Sequence, residues 1–201
     1  MTTGITRARL LAAAGAIAGG GALATLFTPG EAERPRSGRL PGGQHAWDAV
    51  LARDEHGNAV APRFHSVAML RVADGAGPAA ARRLEQALGA LERAFPYGPG
   101  GLLSALGWGA AYFEDVLGVA SPVPHASVLS PIEDPALERH HACLHLACDD
   151  EQRLSRIERA LFRGAPLDEA PGVSLHLDGA LDLVEVRRGF VGTGLPRAHR
   201  G

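Results

Sequence analysis

From Arg63 to Val186 the chain alternates between short apolar runs and longer stretches in which apolar residues recur every three or four positions. Phe64 to Val72 (FHSVAMLRV) reads as a buried strand. Asp74-Gly75 and Gly77-Pro78 break it. Ala79 to Phe95 places Leu84, Leu88, Leu91 and Phe95 on one face at helical spacing. Gly101 to Trp108 (GLLSALGW) is a second strand, and Gly109 to Leu117 (GAAYFEDVL) a short helix. A Pro-rich excursion from Pro122 to Pro135 follows, then a third strand, His141 to Cys148 (HACLHLAC). Asp149-Asp150 stands where a helix cap belongs. Glu151 to Phe162 is then an amphipathic helix with Leu154, Ile157 and Leu161 inward. Val173 to Leu177 and Leu181 to Val186 supply the last strand material.

The order β-α-β-(α)-β-α-β predicts an α+β fold, a ferredoxin-like βαββαβ domain of the dimeric α+β barrel type over residues 63–188. Its four-stranded antiparallel sheet carries helices on one face. The other face must be covered by something. If a second domain covers it, the chain alone exposes an apolar surface.

The flanks read differently. Thr2 to Arg9 carries Arg7 and Arg9 with no acid, and Leu10 to Phe27 is uncharged and rich in Ala and Gly. That is the layout of an export signal, expected over residues 1–32. The weak hydrophobicity suits twin-arginine export. Thr6-Arg7-Ala8-Arg9-Leu10-Leu11 resembles that motif, with Ala8 in place of the second Arg. Cleavage is expected at Ala22-Leu23-Ala24 or nearer Ala32. An uncleaved anchor is the alternative, although about 18 residues with many glycines are marginal for a bilayer core of roughly 30 Å. The expected location is therefore extracellular or membrane-anchored. Residues 33–62 read as a linker, rich in Pro, Gly and Arg over Glu31 to Gly43. A short helix and a turn at His56-Gly57-Asn58 follow it. Residues 189–201 form a Gly-rich segment that reads as the link to a second domain.

Composition narrows the function classes. The 201 residues carry a net charge of −2, so nothing electrostatic argues for nucleic acid. All 20 basic residues are Arg. Cys143 and Cys148 are five apart on one strand, on opposite faces, which argues against a mutual disulfide.

Candidate chemistry is sparse. His141, Cys143 and His145 share a strand face beside His140, and His and Cys bind zinc or copper. Three successive positions of one strand make a poor ligand set, so core or sheet-surface histidines and a buried Cys are expected, with no metal. Trp108, Tyr112 and Phe113 either pack the short helix onto the sheet or wall a cofactor pocket. Glu114 and Asp115 point apart on a helix and read as a solvated side. Ser104, Ser127 and Ser130 lack a nucleophile-elbow setting. Gly189 to Gly194 has no helix after it and so is no dinucleotide fingerprint. Arg187-Arg188 either binds an anion or ends a strand in solvent. No catalytic residue is assigned.

Four blocks nonetheless bring a family into view: QHAWDAVLARDEHGNAVAPR, GLLSALGWGAAYFEDVLG with Tyr112-Phe113, SPIEDPALERHHACLHLACDD and RRGFVGTGLP. In order and spacing, from Gln44 onward, they resemble the N-terminal half of Dyp-type (dye-decolorizing) haem peroxidases, and more closely a set of twin-arginine-exported relatives. The resemblance implies two ferredoxin-like domains holding a haem, with the proximal His and a distal Arg on the second. It also implies a distal Asp in a Gly-x-x-Asp-Gly motif near the domain boundary. With Gly189 to Thr193 aligned to that motif, Gly192 stands where the Asp belongs and Thr193 where the second Gly belongs. A haem peroxidase needs an axial ligand and a distal proton carrier. The expectation is a first domain that is not catalytic alone, with haem implied by the resemblance only. Its expected partner is a C-terminal domain, a partner chain or a second copy. The alternative is a non-catalytic exported binding or self-association domain.

Overall fold

The computed structural model describes residues 47–130 and 132–192. The expected export signal with its cleavage sites, residues 33–46 of the expected linker and residues 193–201 lie outside the described residues. Four strands form one antiparallel sheet: β1 (Phe64–Val72), β2 (Leu103–Trp108), β3 (Ala142–Cys148) and β4 (Leu181–Phe190). Their order is β2-β3-β1-β4, so β1 and β3 are central. Two long helices, α1 (Pro78–Ala94) and α2 (Glu151–Arg163), connect β1 to β2 and β3 to β4. This is the ferredoxin-like α+β topology expected from the element order.

Period-two patterning makes the strands. In β3, Ala142, Leu144, Leu146 and Cys148 turn to the helices, and in β1 Ala68 and Leu70 do the same. Burial of α1 runs through Ala80, Leu84, Ala87 and Leu91, with Phe95 at its C-terminal end. Leu88, expected inward, is half-buried because the fully buried Ala87 takes the centre of that face. The Asp150 side chain accepts from the Arg153 N–H at 3.1 Å and caps α2. At the other end Gly164 takes φ 65°, the left-handed region, which closes the helix.

The structure differs from expectation in two places. Val173 to Leu177 is not a strand: Leu175 and Leu177 are buried, but the Leu177 N–H bonds the Leu161 carbonyl at 2.9 Å. That backbone is satisfied by the end of α2, not by a sheet neighbour. β4 alone fills the last sheet position and runs to Phe190, past residue 188, with Val191 N–H continuing to Arg63 O at 2.8 Å. No helix among the described residues is long and apolar enough to cross a membrane.

Candidate functional site: the helix-free face of the sheet

Strand register sets the face opposite the helices. Leu103, Ala147, His65 and Gly189 form one row, and Ala105, His145, Val67 and Arg187 the next. Gly107, Cys143, Met69 and Glu185 form a third. Val67, Met69, Leu103, Ala105 and Cys143 are half-buried, and Ala147 is 2% exposed. Two non-sheet segments border the face, and each encloses a cavity.

The first cavity, about 460 Å³, lies between Leu51, Ala61 and Pro62 of the lead-in and the sheet residues His65, Leu103, Ala105, His145 and Ala147. Tyr97 and Ser104 complete its wall. Its polar centre is a histidine pair joined across 80 residues of sequence, His65 Nδ1 to His145 Nε2, at 3.0 Å. The rings stack with 19° between planes. His65 Nε2 is 2.9 Å from the Pro62 carbonyl, which can only accept, so this nitrogen donates. In the neutral pair His65 Nδ1 is then the acceptor and His145 Nε2 the donor. His145 Nδ1 is then an acceptor, and no hydrogen bond reaches it among the described residues. Burial first, and the neighbouring His65 second, hold the His145 pKa below its ordinary value.

The second cavity, about 490 Å³, sits at the other end, between Gly107 to Ala111, Cys143 and the Pro-rich excursion. Ion pairs hold the excursion down. Arg139 meets Glu114 and Asp115, each at 3.1 Å, and His125 meets Glu114 at 2.9 Å. Glu114 and Asp115, expected to point apart into solvent, converge on one guanidinium. Arg187 donates to both oxygens of Glu138, at 2.6 and 2.7 Å, and also contacts Glu185. Its hydrogen bond lowers the Glu138 pKa. Arg188, on the helix side, pairs with the buried Glu158 of α2. The Arg187-Arg188 pair is thus no free anion site: both side chains are exposed at the strand end, as one reading expected, and both are paired with carboxylates, of which only Glu158 is buried.

The candidate histidine–cysteine set of β3 is not brought together by the fold. Among the described residues the group of ligand-type atoms lying within 4.8 Å of one another is Glu138, His140 and Glu185. The Arg187 guanidinium already supplies positive charge to both carboxylates there. Cys143 and Cys148 are free thiols on opposite faces, and burial raises both pKa values, which disfavours the reactive thiolate.

The short helix after β2 is a π-helix, Tyr112–Val116, in which the Leu117 N–H reaches the Tyr112 carbonyl at 3.2 Å. The wider turn lets Tyr112, Phe113 and Leu117 all be buried. Trp108 stacks on Tyr112 with centroids 4.2 Å apart, and Phe113 meets Tyr112 edge-on at 5.4 Å. These aromatics therefore pack the turn onto the sheet. The Tyr112 hydroxyl is buried without a partner, and burial pushes its pKa up to about 12. His65, Tyr97, Glu138 and Glu185 were not singled out by sequence. The outward position of His65 in the β1 alternation was the one local signal available.

The strand order and the bordered face define a ferredoxin-like α+β domain with a concave, helix-free side. The chain belongs to the family of unknown function DUF7405, whose model matches residues 62–201. No curated protein matches the sequence. Solved structures similar to it include DyP-type peroxidases. The enzyme from Cellulomonas bogoriensis is 22% identical, over 74% of this chain and 43% of that one, with a TM-score of 0.47. DyPB from Rhodococcus jostii RHA1 is 15% identical, over 73% and 43%, with a TM-score of 0.47. A DypB variant from the same organism in complex with heme is 14% identical, over 67% and 41%, with a TM-score of 0.44. The chain spans about two-fifths of the length of these peroxidases.

A haem requires an axial ligand aimed into a cavity. Four histidines line the two cavities, and each has its Nε2 engaged. His65 Nε2 bonds the Pro62 carbonyl and His145 Nε2 bonds His65. His125 Nε2 lies 2.9 Å from Glu114, and His140 Nε2 lies 3.3 Å from Glu138. His145 Nδ1 is open, but a macrocycle seated there meets the side chain's own Cβ. His140 Nδ1 is buried without a partner, but among the described residues no cavity histidine offers a free Nε2, so these residues do not fit a haem by themselves.

Proposed function

We propose that the chain is an exported domain of Dyp-type peroxidase descent that works by binding through its helix-free sheet face and has no peroxidase chemistry of its own. The observation that carries this reading is the commitment of every cavity-lining histidine Nε2 to a protein partner. Among the described residues an iron would find no free Nε2. The half-buried apolar rows of Val67, Met69, Leu103 and Ala105 support a role in contact with a second folded body. That body is a C-terminal domain, a partner chain or a second copy. The four sequence blocks support the descent. Export rests on Arg7, Arg9 and the uncharged stretch from Leu10 to Phe27.

The test is peroxide-dependent dye oxidation by the full chain supplied with haem, run beside sedimentation velocity. The expected rate equals that of free haem, and the sedimenting mass distinguishes self-association from dependence on another chain. Turnover well above free haem overturns the reading. Residues 1–46 fused to a folded reporter test export separately, and a reporter retained in the cytoplasm counts against it.

A further inference from the structure

We infer that the cavity between residues 51–62 and the sheet is a binding site for a small, neutral, largely apolar molecule carrying one N–H or O–H donor. This goes beyond the partner-binding reading and does not depend on it. The volume, about 460 Å³, lies in the span of ligand cavities, roughly 300–1,000 Å³. Its wall is mainly aliphatic, from Leu51, Ala61, Leu103, Ala105 and Ala147. No Asp, Glu, Lys or Arg lines it, so a charged ligand would lose its hydration without gaining a counter-charge.

Polarity in the cavity has a direction. Donation runs from His145 to His65 to the Pro62 carbonyl and ends on an atom that cannot donate further. The open end of this relay is His145 Nδ1, which accepts. Burial and His65 keep the ring neutral, so this acceptor persists. Tyr97 also stays neutral, since burial first and Glu92 second raise its pKa. A donor-bearing ligand completes the relay, and an acceptor-only ligand of the same shape leaves His145 Nδ1 unpaired.

The probes are indole and 1-methylindole, which differ by the single donor, titrated into the full chain with histidine ring nitrogens labelled by ¹⁵N. Indole is expected to bind saturably at one site and to move the His145 Nδ1 resonance. 1-Methylindole is expected to bind about tenfold more weakly, the loss of one buried hydrogen bond. Ala105→Phe fills the cavity from the strand position paired with His145 and is expected to abolish indole binding with an unchanged circular dichroism spectrum. Equal affinity for the two probes, no saturable binding of either, or full indole binding by a folded Ala105→Phe chain overturns the inference. None of these outcomes bears on dye oxidation or sedimentation, so the two readings fail separately.

Discussion

Replacing Arg188 by Leu tests how β4 is tied to the helix layer. Glu158 is 5% exposed on α2, and its carboxylate takes two hydrogen bonds from Arg188, one of them from Nε at 3.1 Å. Burial pushes the Glu158 pKa up, but the Arg188 hydrogen bonds and charge outweigh it and leave the value below its ordinary 4.5. Without Arg188 the carboxylate stays buried and loses its charge partner. Breaking a fully buried pair costs about 3–5 kcal/mol. The Arg188 side chain is 63% exposed, so water reaches the site and screens it. The expected loss is therefore about 1–3 kcal/mol, on the scale of one charged hydrogen-bond pair. In a chain of this size that lowers Tm by roughly 2–12 °C.

The loss is also pH-dependent. In the native chain Glu158 contributes stability above its unfolded value of 4.5, which is lost as pH falls through the lower folded value. In Arg188→Leu burial outweighs the remaining Ser66 hydrogen bond, the folded pKa rises above 4.5, and the penalty grows as pH rises through it. Urea denaturation followed by circular dichroism at about pH 7 and about pH 4.5 reads both effects. The deficit is expected to shrink at the lower pH and to vanish in the Glu158→Gln background. An equal deficit at both pH values, or a double-mutant coupling under about 0.5 kcal/mol, refutes the reasoning.

Tyr112→Phe removes a buried hydroxyl that has no partner and is expected to raise Tm by a few degrees in a thermal melt, because an unpaired buried hydroxyl costs about 1–3 kcal/mol. Gly109→Ala would place Cβ 2.6 Å from the His140 carbonyl oxygen, a backbone atom that cannot step aside. It is expected to cost about 1–3 kcal/mol in urea denaturation, as overpacking does. Burial holds the His145 and His141 rings below the ordinary 6.5, so the unfolded chain takes up protons there before the folded chain does. Stability is expected to be full above about pH 6.5 and to fall toward pH 5, and His145→Gln should flatten part of that slope in pH-dependent melts.

The legible parts were those with a local physical signal. β1 and β3 declared themselves through alternation that puts Ala68, Leu70, Leu144 and Leu146 on one side. α2 announced its start through Asp150. Val173 to Leu177 misled because it buries alternate leucines as a strand does, while its backbone bonds to α2. Local pattern records which side chains are buried, not where the peptide groups find partners. The π-helix was read as an ordinary helix, since one widened turn leaves no distinct spacing in GAAYFEDVL. The candidate site was legible only by half. HHACLH drew attention to His145, but its partner His65 comes from another strand, and a contact across 80 residues is fixed by sheet register. The same holds for the Arg187 contacts with Glu138 and Glu185, which tie the strand end to the Pro-rich excursion at the surface.

The most direct test of the central claim is an optical titration of the full chain with haem. The account predicts a spectrum that is the sum of free haem and protein, because no cavity histidine has a spare Nε2 to bind the iron. A sharp Soret band that saturates at one haem per chain would contradict it and return the chain to the peroxidases as a cofactor-binding domain.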